Sequence, residues 1–428
     1  MPVAIVPLAP DRSRFEIRIA TVLCATIAVL FVGNLGRIPI FSTGGRDVPI
    51  LVNDLALAGF LTIGALAISA RHALYLDHAA GLALVFAGLG ALSAALAVPR
   101  FGLSPFAAFV SISYLVRWLF YFSAYVVVIN TLRAGDVNRV WSALEATILG
   151  FAIFGIFQSA FLPGFAQIVY PDSRPQLDWD VQGRRLVSTF LDPNYAGAFI
   201  AIGLVVCLAR LASGARTPAW KLLVLAVALV LTASRSSILA LFVAGFVMLM
   251  ITGLSKRLLR AVGLAVLLVL LALPKLIEFA ASFHKLSIDP SAMDRLTSWL
   301  HGWIVLRDHW VIGIGFNTWG YVSERYGWIR SFSATYGIDG GLLFVLVMTG
   351  VIGLALYVGM LWSVFRTSLR IWRDSRMSAE HRGLALGAAV SLPLIVVHSL
   401  FSNSLLLPFL MEPLWILWAL PSVLASDA

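Results

Sequence analysis

The chain has 428 residues, of which 60% are hydrophobic and only 12% charged, and its mean hydropathy is +0.92. This composition excludes an ordinary soluble globular protein, and apolar runs of membrane-spanning length leave no room for a second soluble domain of ordinary size. The net charge of +10 does not argue for nucleic acid as a partner, because Lys and Arg of a polytopic membrane protein collect at the cytoplasmic ends of its helices.

Taken in order, the first apolar run begins among Arg12, Arg14 and Arg18 and is followed by no small-x-small cleavage motif. It therefore reads as a retained first helix. The hydropathy pattern predicts twelve spans in a single transmembrane domain over 1–428: 17–34, 50–70, 79–98, 107–130, 140–161, 189–211, 219–233, 236–254, 258–274, 339–362, 383–402 and 409–425. Cys24 and Cys207 both fall inside spans, which argues against a disulfide or a metal site. The basic residues set the orientation. Arg366, Arg370, Arg373, Arg376 and Arg382 share one connector, which the positive-inside rule places in the cytoplasm together with both termini. Two long loops, 162–188 and 275–338, then face outside. No internal repeat is visible, so the inverted-repeat pattern of secondary transporters is missing.

The first long loop carries Arg184-Arg185 and leads into Asp192-Pro193-Asn194. Pro193-Asn194 is a helix-start signal, and Asp192 is placed to cap the helix. In the second loop, Asp294 opens a weak capping box, and Leu296, Trp299, Leu300, Trp303 and Ile304 recur at helical spacing. That stretch, flanked by Arg295 and Arg307, predicts an amphipathic helix lying at the membrane surface. Gly313 and Gly315 end it, and they are no nucleotide fingerprint, since no strand precedes them.

The groups able to carry chemistry gather on the outer side: Arg184 and Arg185, Arg235, and Asp339 at the end of the large loop. Arginine forks suit phosphate oxygens, so a lipid-linked diphosphate leaving group could be met there at headgroup depth. An aspartate beside it could take the proton of an acceptor hydroxyl. Each residue also has a structural reading. Arg184 could snorkel to lipid headgroups, and Asp339 could simply cap its helix. Arg117 lies mid-span, where it either pairs with Asp54 or Glu145 or meets substrate. His398 and Glu412 lie near the last outside turn, lining the same cavity or satisfied inside the bundle. His284, His301 and His309 lack metal-ligand spacing.

Three motifs carry a resemblance. Arg185-Leu186-Val187-Ser188-Thr189-Phe190-Leu191-Asp192-Pro193-Asn194 resembles the R-x-x-[S/G]-T-F-x-[N/D]-P-N stretch of the O-antigen ligase and Wzy-type polymerase superfamily. Thr232-Ala233-Ser234-Arg235 is similar to its T-x-S-R segment. Asp339-Gly340-Gly341-Leu342-Leu343, followed by Thr349-Gly350-Val351-Ile352-Gly353, is similar to the stretch ahead of its G-x-x-G. In the ligases a His stands eleven positions before the first Gly of G-x-x-G; here that position is Asp339, which favours the polymerase branch.

The resemblance implies an all-α, GT-C-like polytopic membrane glycosyltransferase of the bacterial inner membrane that needs no metal or other cofactor. It would transfer a growing undecaprenyl-diphosphate-linked glycan onto the next lipid-linked repeat, with a chain-length regulator and a flippase as partners. By the motifs, Arg185 and Arg235 would hold the diphosphate, and Asp339 would be the base or would orient the acceptor. Asn194 falls within the first motif and is a substrate-binding candidate. Arg184, Arg117 and His398 join it from charge and depth. Two other functions remain open at this point, a ligase-like transferase to another acceptor and a flippase or transporter of lipid-linked oligosaccharide.

Overall fold

The computed structural model describes residues 14–38, 49–169, 184–253, 290–328 and 337–426. Among the described residues ten helices are long and apolar enough to cross a membrane, and the one sheet is a two-residue pairing of β1 (Arg37–Ile38) with β2 (Ile50–Leu51). The protein is thus an all-α, polytopic membrane protein. The first span comprises α1 (Arg14–Val29) and a 3-10 continuation, Leu30–Gly36. Then come α2 (Val52–Arg71), α3 (His78–Phe101), α4 (Pro105–Thr131), α5 (Ala134–Phe161) and the short α6 (Phe165–Val169). A 3-10 turn, Ser188–Phe190, leads into α7 (Pro193–Ser213), α8 (Ala219–Leu231) and α9 (Arg235–Thr252). Outside the spans lie α10 (Pro290–His309) and α11 (Trp319–Arg325). The chain closes with α12 (Gly341–Arg373), α13 (Ala379–His398) and α14 (Pro408–Ser426).

Eleven of the twelve expected spans meet a helix at their place, and the twelfth, 258–274, lies outside the described residues. Two of the expected bounds are too tight. α5 starts at Ala134 rather than 140, because Asp136 caps it by accepting from Arg133 N at 3.3 Å. α12 runs on from 362 to Arg373, since Val364, Ser368 and Ile371 stay buried while the arginines between them point outward. The expected span 219–233 is α8, whose 13 residues reach only about 20 Å, less than the hydrocarbon thickness.

The helices α7, α13 and α14 are the most enclosed, while α2 and α9 show most of their surface. Between α3, α4, α12 and α14 sits an aromatic core. Trp118 stacks on Phe122 (5.6 Å between centroids), meets Trp415 edge-on (6.2 Å), and borders Phe86 and Tyr357. Such offset and edge-to-face pairs add to the burial of large apolar rings.

The expected amphipathic helix is present as α10, except that Trp299, expected on its outer face, turns inward to bond the Asp339 carbonyl. Met293, Leu296, Leu300, Trp303 and Ile304 face outward, while Ser298, Val305 and Leu306 are buried against the bundle. What anchors it is a break in α12. Gly350 is left-handed (φ 68°, ψ −171°), so the carbonyls of Val347 and Met348 and the N–H of Val351 lose their helical partners. The segment after α10 supplies them. Ile314 N donates to Val347 O (2.9 Å), Gly315 N to Met348 O (3.1 Å), and Val351 N to Trp310 O (2.8 Å). From α3, Ser93 Oγ lies 2.7 Å from Ile312 O and 2.9 Å from Met348 O, and Arg100 Nη1 donates to Gly313 O at 3.1 Å. Irregular backbone of this kind is tolerated in a membrane protein only where protein satisfies it. Gly313 and Gly315 on one side and Gly350 on the other are therefore two sides of one contact. A Cβ on Gly350 would sit 2.1 Å from Val311 O, and one on Gly313 2.4 Å from the Met348 backbone.

Replacing Gly350 by Ala should therefore lower stability by about 3 kcal/mol or more through combined strain and overlap. Gly245→Ala in α9, where nothing lies within 4 Å of the added Cβ, should be neutral or stabilising by up to ~1 kcal/mol. Thermal melts of the two purified variants compare them directly. Equal melting temperatures would show that the break in α12 is not under constraint.

Candidate functional site

The segment that begins with Arg184 is fixed from three sides. Gln158 Oε1, buried in α5, accepts from Val187 N (3.0 Å) and Ser188 N (3.2 Å), and Ser188 Oγ donates to Phe151 O (2.8 Å). From the first span, Asn34 Nδ2 donates to Phe190 O (2.7 Å). Along the end of α8, Leu186 N donates to Leu231 O (2.9 Å). The half-buried Arg185 reaches across to the turn between α8 and α9. Its Nε donates to Thr232 O (2.9 Å) and its Nη2 to Ala233 O (3.2 Å). Arg184 is exposed, and its carbonyl accepts from Ser159 Oγ at 2.5 Å.

Two helix N-termini meet at this turn. Asp192 caps α7 as its sequence position indicates, accepting from Asn194 N (2.7 Å) and Tyr195 N (3.1 Å). Ser234 caps α9, accepting from Ser237 N at 3.4 Å. The two caps are joined. Ser234 Oγ donates to Asn194 Oδ1 (3.1 Å), and Ser237 Oγ donates to Asn194 O (3.2 Å). The approach is close enough that a Cβ on Gly197 would meet Ser237 Oγ at 2.5 Å. Arg235 is the first residue of α9, half-buried, at an N-terminus whose partial positive charge adds to its own. Asn194 therefore acts in the structure as the link between the T-F-x-D-P-N and T-x-S-R motifs.

Asp339 is held by α10 and by the turn after α13. Its N–H donates to Ser298 Oγ (3.2 Å), its carbonyl accepts from Trp299 Nε1 (2.5 Å), and Gly341 N donates to Ser399 O (2.6 Å). Burial pushes its carboxyl above the usual carboxylate range. Arg295 pulls it down and Asp294 pushes it up, each by less than the burial. Asp192 is also raised by burial, against the pull of its two backbone N–H groups and of Arg185 and Arg295.

Tyr195 joins the two halves. It lies within electrostatic reach of Asp192, Asp339 and Arg295, with the backbone N–H of Asn403 against its hydroxyl. His398 is fully buried, with Ser404 Oγ at 2.5 Å and Ser402 Oγ at 3.2 Å from Nδ1, and it borders the Asn194 backbone and Arg295. The structure thus brings Arg185, Asn194, Asp339 and His398 into one connected set, with Arg235 next in the chain to Ser234, which bonds Asn194. It adds Asp192, Tyr195, Arg295 and Asn403. Arg295 precedes Ser298, Trp299 and Gly302 by three, four and seven positions, so all four share one face of α10. That face is present in the sequence, but the stronger apolar period of the opposite face masks it.

Arg117 belongs to a different set. Its Nη2 pairs with Asp54 Oδ2 (2.6 Å), and its Nη1 donates to Pro49 O (3.0 Å). The Tyr121 hydroxyl donates to the other Asp54 oxygen, and Asn53 Nδ2 donates to Glu412 Oε2 (3.1 Å). Of the two partners that the sequence offers Arg117, the structure selects Asp54, while Glu145 pairs with Lys221 at 2.5 Å. His398 and Glu412 likewise fall in separate hydrogen-bond sets.

The fold and the site define a polytopic membrane protein with an arginine- and carboxylate-bearing centre at one face, beneath a helix of the large loop. Residues 220–358 match the family model described as O-antigen ligase. The match covers about one third of the chain, taking in α8 to the middle of α12 with Arg235, Arg295 and Asp339. No curated protein matches the chain.

Asp339 binds its proton more tightly in the folded protein than in the unfolded chain. Its ionisation on that account subtracts stability as pH rises from the unfolded carboxylate range, near about 4, through the folded value, and the loss is complete above that. Asp339→Asn removes this contribution. The variant should melt above wild type at neutral pH, and the gap should close as pH falls towards the unfolded carboxylate range. A gap that does not change with pH would mean that the carboxyl is not desolvated.

Proposed function

We propose that the protein is a membrane glycosyltransferase of bacterial polysaccharide assembly, and that it is the polymerase for an O-antigen, capsule or exopolysaccharide. The observation that carries this reading is the placement of an aspartate, Asp339, against Arg295 and Tyr195, in the same connected set as the α9 N-terminus with Arg235. The family match to residues 220–358 supports the chemistry, and the aspartate where ligases carry a histidine favours polymerisation.

In this reaction the anomeric C–O bond to the undecaprenyl diphosphate breaks and a bond from that carbon to an acceptor hydroxyl oxygen forms. The electron pair leaves with the diphosphate. Arg235, the N-terminal N–H groups of α9 and Arg185 stabilise that charge where it develops. The acceptor proton passes to Asp339, whose affinity for protons is raised by burial. Arg295 favours the ionised form of Asp339 against its burial, and Asn194 keeps the two motifs in register. Arg184 adds a substrate contact in this scheme from the exposed end of the segment, whereas Arg117 is taken up by Asp54 and His398 is fully buried against Ser404 and Ser402. The site then faces the periplasm from the inner membrane, with both termini cytoplasmic, and a chain-length regulator and a flippase are its functional partners.

A deletion strain complemented with Asp339→Ala should lose about 10²–10⁴-fold in polymerisation, and one with Arg235→Ala about 10²–10³-fold. Lipid-linked and surface glycans run on one gel should then show single repeats without long chains. Long chains on the lipid that never reach their final acceptor would instead identify a ligase, the reading that the name of the matched family favours. Normal chain length would sink the assignment of Asp339.

The pH profile gives a second test. The groups facing Asp339 are Arg295 and Asp294 from α10 and Tyr195 from α7. The acid limb of the rate profile should lie above the ordinary carboxylate range, move to higher pH in Arg295→Gln and move to lower pH in Asp294→Asn. Coincident limbs in all three proteins would remove Asp339 from the role of base.

A further inference from the structure

A second polar feature lies at the other end of α12, remote from Asp339. The 33 residues of this helix span about 50 Å, so its C-terminal turns emerge at the opposite face of the bundle. There a cleft of about 420 Å³ is lined by Arg366, Leu369, Arg370, Arg373 and Asp374. The arginines are spaced by four and three positions and form one exposed stripe. Among the described residues no carboxylate pairs with any of the three. Asp374, the one acid in the lining, is held instead by Arg376, with Nη2 to Oδ2 at 2.7 Å and Nε to both oxygens, which keeps its carboxyl down at about 2. Three like charges on neighbouring turns repel one another unless an anion lies between them.

The surroundings indicate what kind of anion. Towards the membrane, the same stripe continues into Trp362, 56% exposed, and before it Val358. Beside the cleft, the loop from α2 to α3 exposes Leu74, Tyr75 and Leu76, and Tyr75 lies within electrostatic reach of Arg370. An apolar surface that passes through a tryptophan into guanidinium groups follows the profile of a lipid from acyl chain to phosphate.

We propose that this cleft is a binding site for the phosphate headgroup of an anionic phospholipid. The headgroup oxygens accept from the forks of Arg366, Arg370 and Arg373, and the acyl chains lie along Leu369, Trp362 and the 74–76 loop. The site is independent of the transferase reading, because it uses none of its residues. A bias of topology alone needs only positive charge here, whereas a phosphate site needs the planar forks, and lysine separates the two.

The test uses the purified full-length protein in neutral detergent, titrated with phosphatidylglycerol or cardiolipin, with phosphatidylcholine and inorganic phosphate as separate arms. Bound lipid is read by native mass spectrometry and stability by thermal melting. Wild type should bind the anionic lipids and be stabilised by them, and should ignore phosphatidylcholine. The triple Arg366→Gln, Arg370→Gln, Arg373→Gln variant should lose affinity by about fivefold per arginine, roughly a hundredfold in all. The triple lysine variant keeps the charge but should still lose about tenfold. All three residues are exposed, so melts without lipid should coincide and show that the variants are folded. Wild-type affinity in the lysine variant, equal binding of phosphatidylcholine, or equal stabilisation by inorganic phosphate would each overturn the proposal.

Discussion

The break of α12 at Gly350 is the constraint on which the rest of the molecule depends. A continuous helix would satisfy its own backbone and leave α10 as a loop element resting on the bundle. The break exposes two carbonyls and one N–H at a depth where no water can take them, and the 310–315 segment becomes their obligatory partner. Hydrogen bonds are worth most in such surroundings, because the cost of leaving a buried backbone group unpaired exceeds the modest net gain of making the bond in water. α10 is thereby fixed at one end by the backbone of α12 and, three turns earlier, by Ser298 and Trp299 on the Asp339 peptide. Both anchors belong to the same two elements, so Arg295 and Asp339 are set relative to each other by a closed loop of contacts.

The other half of the site follows a different logic. Arg185 spends two of its donors on the carbonyls of the α8–α9 turn, so one motif arginine builds the platform on which the next one stands. With Asn194 bonded to both Ser234 and Ser237, the N-termini of α7 and α9 cannot separate without losing buried polar contacts. Two converging helix N-termini form a region of positive potential that no side-chain rotation can turn away. Catalysis by preorganised dipoles rests on this kind of rigidity, because nothing has to reorganise as charge develops.

The spans are legible because uncharged apolar runs of this length are rare in water-soluble folds, and a chain that repeats them has to place them in lipid. Asp192 as a cap and α10 as an amphipathic helix are equally readable, since both rest on local chemistry and period. The bounds of α5 and α12 are less so. Their extra turns are polar, and only Asp136 as a cap and the alternation of Ser368 and Ile371 with arginines mark them as helical. The joining of Tyr195 to Arg295 and Asp339 has no local signal at all, because it arises from elements a hundred or more residues apart. Arg117 shows the converse. Its intramembrane charge marks it as a group in need of a partner, but only packing chooses Asp54 over Glu145.

The outward side of α10 offers the surrounding lipid an apolar face. Leu296, Leu300, Trp303 and Ile304 are exposed on this side, where a bilayer would cover them, while the opposite side is held by Asp339 and the α12 break. Ser298 and Trp299 bond the same helix to the Asp339 peptide, so Arg295 and Asp339 keep their relative setting whichever lipid covers the outer face.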